Sequence, residues 1–207
     1  MLSEVLLQVN PPQEPSMDVT PEVVVRLIRG NYPRKVSISS NIDEETSREV
    51  VEAFNRLERE SNEPIIVEIN SDGGRLEKAA FLIAECITKL RSSTVAVVYG
   101  QCYSAAFILL QVCTYRYTVV EAHFVIHNSL NSLLISPDQN PDDLSKVAKR
   151  LLQRTKDNRE RTVSILGKRL THFTRGEIIE MMDLETHLDA FEAMSRGMVD
   201  GIVTVPL

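Results

Sequence analysis

Tryptophan is absent from the 207 residues, and aromatic residues together make up only 5%. Stacking on bases or sugar rings is therefore poorly supplied. Positive charge is short as well: 23 Lys and Arg stand against 29 Asp and Glu, a net charge of −6. That balance disfavours a nucleic-acid backbone as the main partner. The three cysteines, Cys86, Cys102 and Cys113, are odd in number and show no short repeated spacing. They exclude a disulfide framework, speak against structural zinc and read as reduced thiols of a cytoplasmic protein. No apolar run reaches the roughly 18 residues of a membrane span, so no membrane partner is expected. The first residues lack the basic and apolar regions of a signal peptide. What is present is ordinary globular composition, 43% hydrophobic and 25% charged, in a length that suits one domain with a sizeable core.

Pro11, Pro12 and Pro15 interrupt the first 20 residues, which read as a weakly structured arm. Thr20 and Pro21 then look like an N-cap and first helical position, with Gly30 ending a short helix. Alternation over residues 35–39 predicts a strand. Val50, Val51, Phe54 and Leu57 lie at helical spacing within 43–60. Residues 64–70 and 94–99 are β-branched and apolar, as buried strands are. Helices are predicted at about 75–90 and 104–113, and short strands at 117–120 and 123–126. A long helix is predicted over 141–170, with a polar middle at 153–161 that suits a projecting or bridging segment. A short helix at about 189–196 and a strand near 201–205 complete the chain. This alternation is that of an α/β protein.

Three places could carry chemistry. Ser104 follows a buried strand and starts an apolar helix, where backbone N–H groups can stabilise a forming oxyanion; the same position suits a plain N-cap. Ser71, Asp72, Gly73 and Gly74 form a second strand-to-helix turn, whose glycines either admit a substrate backbone or make an ordinary loop. Two such turns in one sheet belong near each other at its carboxyl edge. His127 ends a buried strand, placed to act as a general base or to serve as a hydrogen-bonded structural histidine. His123 and His127 are about 13 Å apart along a strand, too far to share one metal ion. His172 and His187 read as surface residues. Cys102 is a rival nucleophile, or else a small buried residue beside the turn.

Together these segments resemble the proteolytic subunit of the Clp protease family, serine peptidases of the ClpP/crotonase fold, over about residues 34–204. The matching pieces are RKVSISSN at 34–41, IIVEINSDGG at 65–74, GQCYSAAFILL at 100–110, FVIHN at 124–128 and AFEAMSRGMVD at 190–200. The resemblance implies an α/β fold of repeated β-β-α units with a protruding handle helix. It divides the chain into an arm with a short helix at 1–30 and a peptidase domain at 31–207, with the handle at about 128–170. It gives Ser104 the role of nucleophile and His127 that of general base. The N–H of Ala105, with that of Gly73 or Gly74, would form the oxyanion hole. Counting back from Gly197 puts the third, acidic member on Glu185, with Asp183 as second choice.

The resemblance further implies self-assembly into heptameric rings, stacked as a tetradecamer. An AAA+ unfoldase would be the partner, and unfolded proteins or peptides the substrate. The subunit itself needs no cofactor, ATP being used by the partner ATPase. Two departures stand out: residues 128–133 lack the family's Gly-rich run, and the first 30 residues do not look like its N-terminal loops. The competing readings are a non-catalytic ring subunit and a crotonase-like acyl-CoA enzyme. A membrane-linked peptidase with a Ser–Lys dyad is a further one.

Overall fold

The computed structural model describes residues 19–39, 41–74, 77–128 and 140–204. Helix α1 (Pro21–Arg29) is capped by Thr20, whose hydroxyl accepts from the Val23 N–H. Strand β1 (Lys35–Ile38) leads to helix α2 (Glu44–Glu60), capped by Asp43. Then follow β2 (Ile65–Ser71), α3 (Glu77–Lys89), β3 (Thr94–Tyr103) and α4 (Ala105–Val112). Strands β4 (Tyr115–Thr118) and β5 (His123–Ile126) precede the long helix α5 (Pro141–Arg169). The chain closes with α6 (Arg175–Asp183), β6 (Thr186–Asp189), α7 (Ala190–Ser195) and β7 (Gly201–Ile202). The α/β alternation read from the sequence is therefore the architecture observed. No helix among the described residues is long and apolar enough to cross a membrane.

Among the described residues the strands form one seven-stranded sheet: β1-β2-β3-β4-β7 run parallel, β5 pairs parallel with the end of β3, and β6 pairs antiparallel with β5. Ile65, Ile66, Val67 and Ile69 of β2 and Val95 to Val98 of β3 are fully buried, as central parallel strands covered on both faces must be. Strand β3 serves two neighbours in turn. Its residues 95–98 pair with β4, and 101–103 pair with β5. The sequence predicts its end at Tyr99, before Gly100; the strand continues to Tyr103. A register shift between Ile69 and Ser71 of β2 accommodates the extra residues. The Asn70 side chain fills that shift: its Oδ1 accepts from the Gln101 N–H at 2.9 Å. A Cβ on Gly100 would come within 2.6 Å of the same oxygen.

Helix α4 is buried from Ala105 to Gln111, the pattern of a helix with no solvent face. Gln111 donates to the Met198 carbonyl and accepts from Arg116. Arg116, nearly buried, forms two side-chain hydrogen bonds with Asp200, which Arg169 also reaches at 3.4 Å. This cluster ties β4, α4, the end of α5 and the turn before β7 together.

Helix α5 has 29 residues, a length of about 44 Å. Its end docks through buried Val163 and Leu166. The polar middle is partly used within the chain itself. Arg159 pairs with Asp183, Glu160 with Arg175 and Arg161 with Glu85, and the Arg161 guanidinium lies 4.3 Å from the Phe81 ring centroid. The uncovered part is the preceding stretch, where Val147 and Leu152 are exposed. Residues 1–18 of the predicted arm and 129–139 of the predicted handle lie outside the described residues.

Replacing Asp200 by Ala leaves the Arg116 guanidinium, 6% exposed, buried without its anion. We predict a loss of about 3 kcal/mol, read from the urea midpoint. Lys146→Ala, which breaks an exposed pair with Asp143, leaves the midpoint unchanged.

Candidate active site

Ser104 is the single residue between β3 and α4. Its backbone has φ 53° and ψ −115°, a region that costs a non-glycine residue about 1–3 kcal/mol. Its N–H donates to the Val125 carbonyl at 2.8 Å, and its own carbonyl accepts from Phe107 at 3.1 Å and Ile108 at 3.3 Å. The hydroxyl makes no capping hydrogen bond. Ser104 therefore occupies the N-cap position by its backbone alone, and the N-cap reading of its side chain is corrected. A strained strand-to-helix turn of this shape presents a hydroxyl outward from the sheet edge. The first N–H groups of α4 lack intrahelical acceptors there.

Gly73 closes against this turn from β2. At φ +87°, a Cβ on it would lie 2.6 Å from the Tyr103 carbonyl oxygen, 2.9 Å from Ser104 Cβ and 3.1 Å from Ala105 N. The two strand-to-helix turns expected to be neighbours are thus in contact. The Gly73 N–H donates to Ser71 Oγ at 3.1 Å, and its carbonyl accepts from Ile42 N at 2.7 Å. Gly74 backs onto the same segment, since a Cβ there would lie 2.1 Å from the Ile42 carbonyl oxygen.

His127 follows β5 and is half-buried. Strand β6 runs antiparallel to β5, with His123 opposite Asp189, Val125 opposite His187 and Ile126 opposite Thr186. One further step of that register sets Glu185 opposite His127. Ladder pairing stops before that step, and Glu185 turns at φ 50°. Its exposed carboxylate lies 3.9 Å from His187 Nε2. Asp183 is held elsewhere: its two oxygens accept from Asn128 Nδ2 at 2.5 Å and Arg159 Nη2 at 2.7 Å. Those two contacts hold its carboxyl below the usual carboxylate range. Among the described residues, no hydrogen bond joins the His127 ring to Ser104, Glu185 or Asp183. Ser104 and His127 thus share one sheet edge, and Glu185 follows from β6.

Helix α6 and strand β6 are absent from the sequence-based expectation. The helix had a signal: Thr174 and Glu177 form a capping box, the Ser/Thr-x-x-Glu pattern that opens helices. Strand β6 offers no such signal in four residues. The exposed His123 and His187 stand on β5 and β6 beside an open cavity of about 220 Å³, lined also by Tyr103, Asp189 and Glu192. His172, also exposed, bonds to the Arg196 carbonyl through Nε2.

Cys102 is fully buried, and burial pushes its thiol well above the ordinary value. Burial likewise pushes the Cys113 thiol up to about 12. A thiol kept protonated is a poor nucleophile, so the rival reading of Cys102 loses its chemical basis. We predict that iodoacetamide at mildly alkaline pH alkylates half-buried Cys86 first. Cys102 and Cys113 react only after unfolding, as peptide mapping would read.

Gly73→Ala should cost about 1–3 kcal/mol from the positive φ alone, with the clash against Ser104 adding to it. Gly176→Ala, where a Cβ meets only Thr174 Oγ1 at 3.9 Å, should leave the denaturation midpoint the same or higher.

The sequence model of the family described as Clp protease matches residues 22–206. The ATP-dependent Clp protease proteolytic subunit 2 of Pseudomonas aeruginosa is 24% identical over 172 residues, covering 82% of this chain and 81% of that protein. The ATP-dependent Clp protease proteolytic subunit 1 of Streptomyces coelicolor is 24% identical over 172 residues, 82% of this chain and 74% of that protein. A match that takes in both turns, the histidine strand and the whole of the sheet around them makes this chain a member of the Clp protease family, the ClpP-like peptidases.

Proposed function

We propose that the chain is a serine endopeptidase that cleaves unfolded proteins or peptides. The observation that carries this is Ser104: a non-glycine residue in a strained turn, its hydroxyl unspent on capping, with Gly73 and the Ala105 N–H against it. In this reading His127 accepts the Ser104 proton as Oγ attacks the scissile carbonyl. Glu185 holds the imidazole in the required tautomer and balances its charge. The oxyanion takes hydrogen bonds from the Ala105 N–H and the Gly73 N–H, with Gly74 as the alternative second donor. Gly73 must then give up Ser71 Oγ, an exchange in favour of the charged acceptor. The amine leaves with the proton held by His127. Water, deprotonated by His127, then hydrolyses the acyl-enzyme and releases Ser104.

The same reading makes the working unit a pair of heptameric rings that encloses the Ser104 sites. Uncovered Val147 and Leu152 on α5, and Phe191 and Met194 on α7, suit packing between copies. An AAA+ unfoldase would feed the chamber and use the ATP; the names of the two relatives call those proteins ATP-dependent. The subunit needs no cofactor of its own. Three free cysteines fit a reducing cytoplasm.

A second reading, a non-catalytic ring subunit, is favoured by one observation. The Glu185 side chain is 64% exposed and lies toward His187.

A fluorophosphonate probe read by intact mass separates the two. The peptidase reading predicts one adduct per chain, absent in Ser104→Ala. It also predicts labelling slowed on the order of a hundredfold or more in Glu185→Ala. Absence of an adduct in the assembled protein favours the non-catalytic subunit. Full reactivity in Glu185→Ala removes that residue from the triad.

A further inference from the structure

We infer that Asn128, Asp183 and Arg159 are positioning residues, which hold the segments carrying His127 and Glu185 against each other and tie them to α5. The inference rests on the peptidase reading for its catalytic consequence and on the geometry alone for the clamp. The β5–β6 ladder ends at Ile126 and Thr186, just short of both His127 and Glu185. Past that point the sheet no longer fixes their separation. What joins the two segments is the residue after His127 and the end of α6. The Asn128 N–H donates to the Met182 carbonyl at 3.2 Å. Asn128 Nδ2 donates to Asp183 Oδ1 at 2.5 Å, and Arg159 Nη2 donates to Asp183 Oδ2 at 2.7 Å. Both carboxylate oxygens are engaged, each by a different element, so Asp183 links segments instead of facing the imidazole.

The orientation of Asn128 is informative. A carboxylate only accepts, so the amide must turn its nitrogen toward Asp183. That leaves Asn128 Oδ1 buried with no partner, a state that costs about 1–3 kcal/mol. The bond to Asp183 is thus kept against a local penalty. On the other side, Arg159 belongs to the stretch of α5 already fixed by Glu160–Arg175 and by Arg161 on Phe81 and Glu85. One ion pair and one side-chain hydrogen bond therefore connect the position of α5 to the residue next to His127.

A surface pair of this kind contributes little to stability: the side chains of Arg159 and Asp183 are 34% and 46% exposed. A positioning role and a purely structural one then predict different things. The test uses the full chain with Asp183→Ala, Arg159→Gln and Arg159→Lys. Three readouts are taken: the thermal midpoint, amide hydrogen exchange over residues 124–128, and fluorophosphonate kinetics resolved into KI and the maximal acylation rate.

We expect Asp183→Ala and Arg159→Gln to exchange faster over 124–128 with an unchanged thermal midpoint. The maximal acylation rate falls on the order of tenfold to a hundredfold, KI stays the same, and Arg159→Lys recovers most of the rate. Unchanged exchange in Asp183→Ala overturns the clamp. Faster exchange with an unchanged acylation rate overturns the positioning role. If the unsubstituted chain does not acylate at all, the peptidase reading fails. The exchange comparison then decides the clamp alone, with faster exchange supporting it and unchanged exchange refuting it.

Discussion

Ser104 cannot relax. Its N–H is bonded to the Val125 carbonyl, its carbonyl receives the first turn of α4, and the Gly73 backbone sits against its Cβ. A positive φ at a non-glycine residue survives only where its surroundings over-determine it. Here the surroundings are buried core. Helix α4 has no exposed residue between Ala105 and Gln111, and β2 and β3 on the other side are fully buried at their centres. Sliding the helix to relieve the turn would uncover that core. The strain is therefore offset by packing at a distance, and the hydroxyl remains available because capping is carried out by the backbone.

The register shift between β2 and β3 is the second element of the same device. The two extra residues of β3 next to Asn70 set Ser104 level with the Gly73 turn, where an unshifted register would set Cys102. The same extension lets β3 take β5 as a second neighbour, which brings the strand that leads into His127. One long strand thus organises Ser104, the Gly73 turn against it and His127, the residues proposed as nucleophile, oxyanion donor and base. The acidic side is built differently, by a short antiparallel strand and the end of α6, and is tied to the sheet by few bonds.

That difference explains what the sequence discloses. Strands β2 and β3 are legible because their β-branched runs have no other stable placement. The Ser71–Gly74 turn and Ser104 are legible because both interrupt apolar runs where helices begin. The continuation of β3 through Gly100 is not, since a glycine after a strand reads as its end. The Asn70 side chain and the pairing with β5, both distant in sequence, hold the extension. Strand β4 lies at Tyr115–Thr118 and not at 117–120, because Arg116 is drawn inward to Asp200, a long-range pair with no local trace. Helix α6 could have been found from Thr174 and Glu177. The positive φ of Glu185 could not, and with it goes any reading of where its carboxylate points.

In the proposed reaction, the turn at Ser104 and the Gly73 backbone together form the site for a developing oxyanion. The most direct test is a crystal structure of the phosphonylated protein. We predict phosphorus on Ser104 Oγ, with its non-bridging oxygen about 2.7–3.1 Å from Ala105 N and from Gly73 N, and Gly73 released from Ser71. An adduct on another residue, or an oxygen turned to solvent with Gly73 still bound to Ser71, would contradict it.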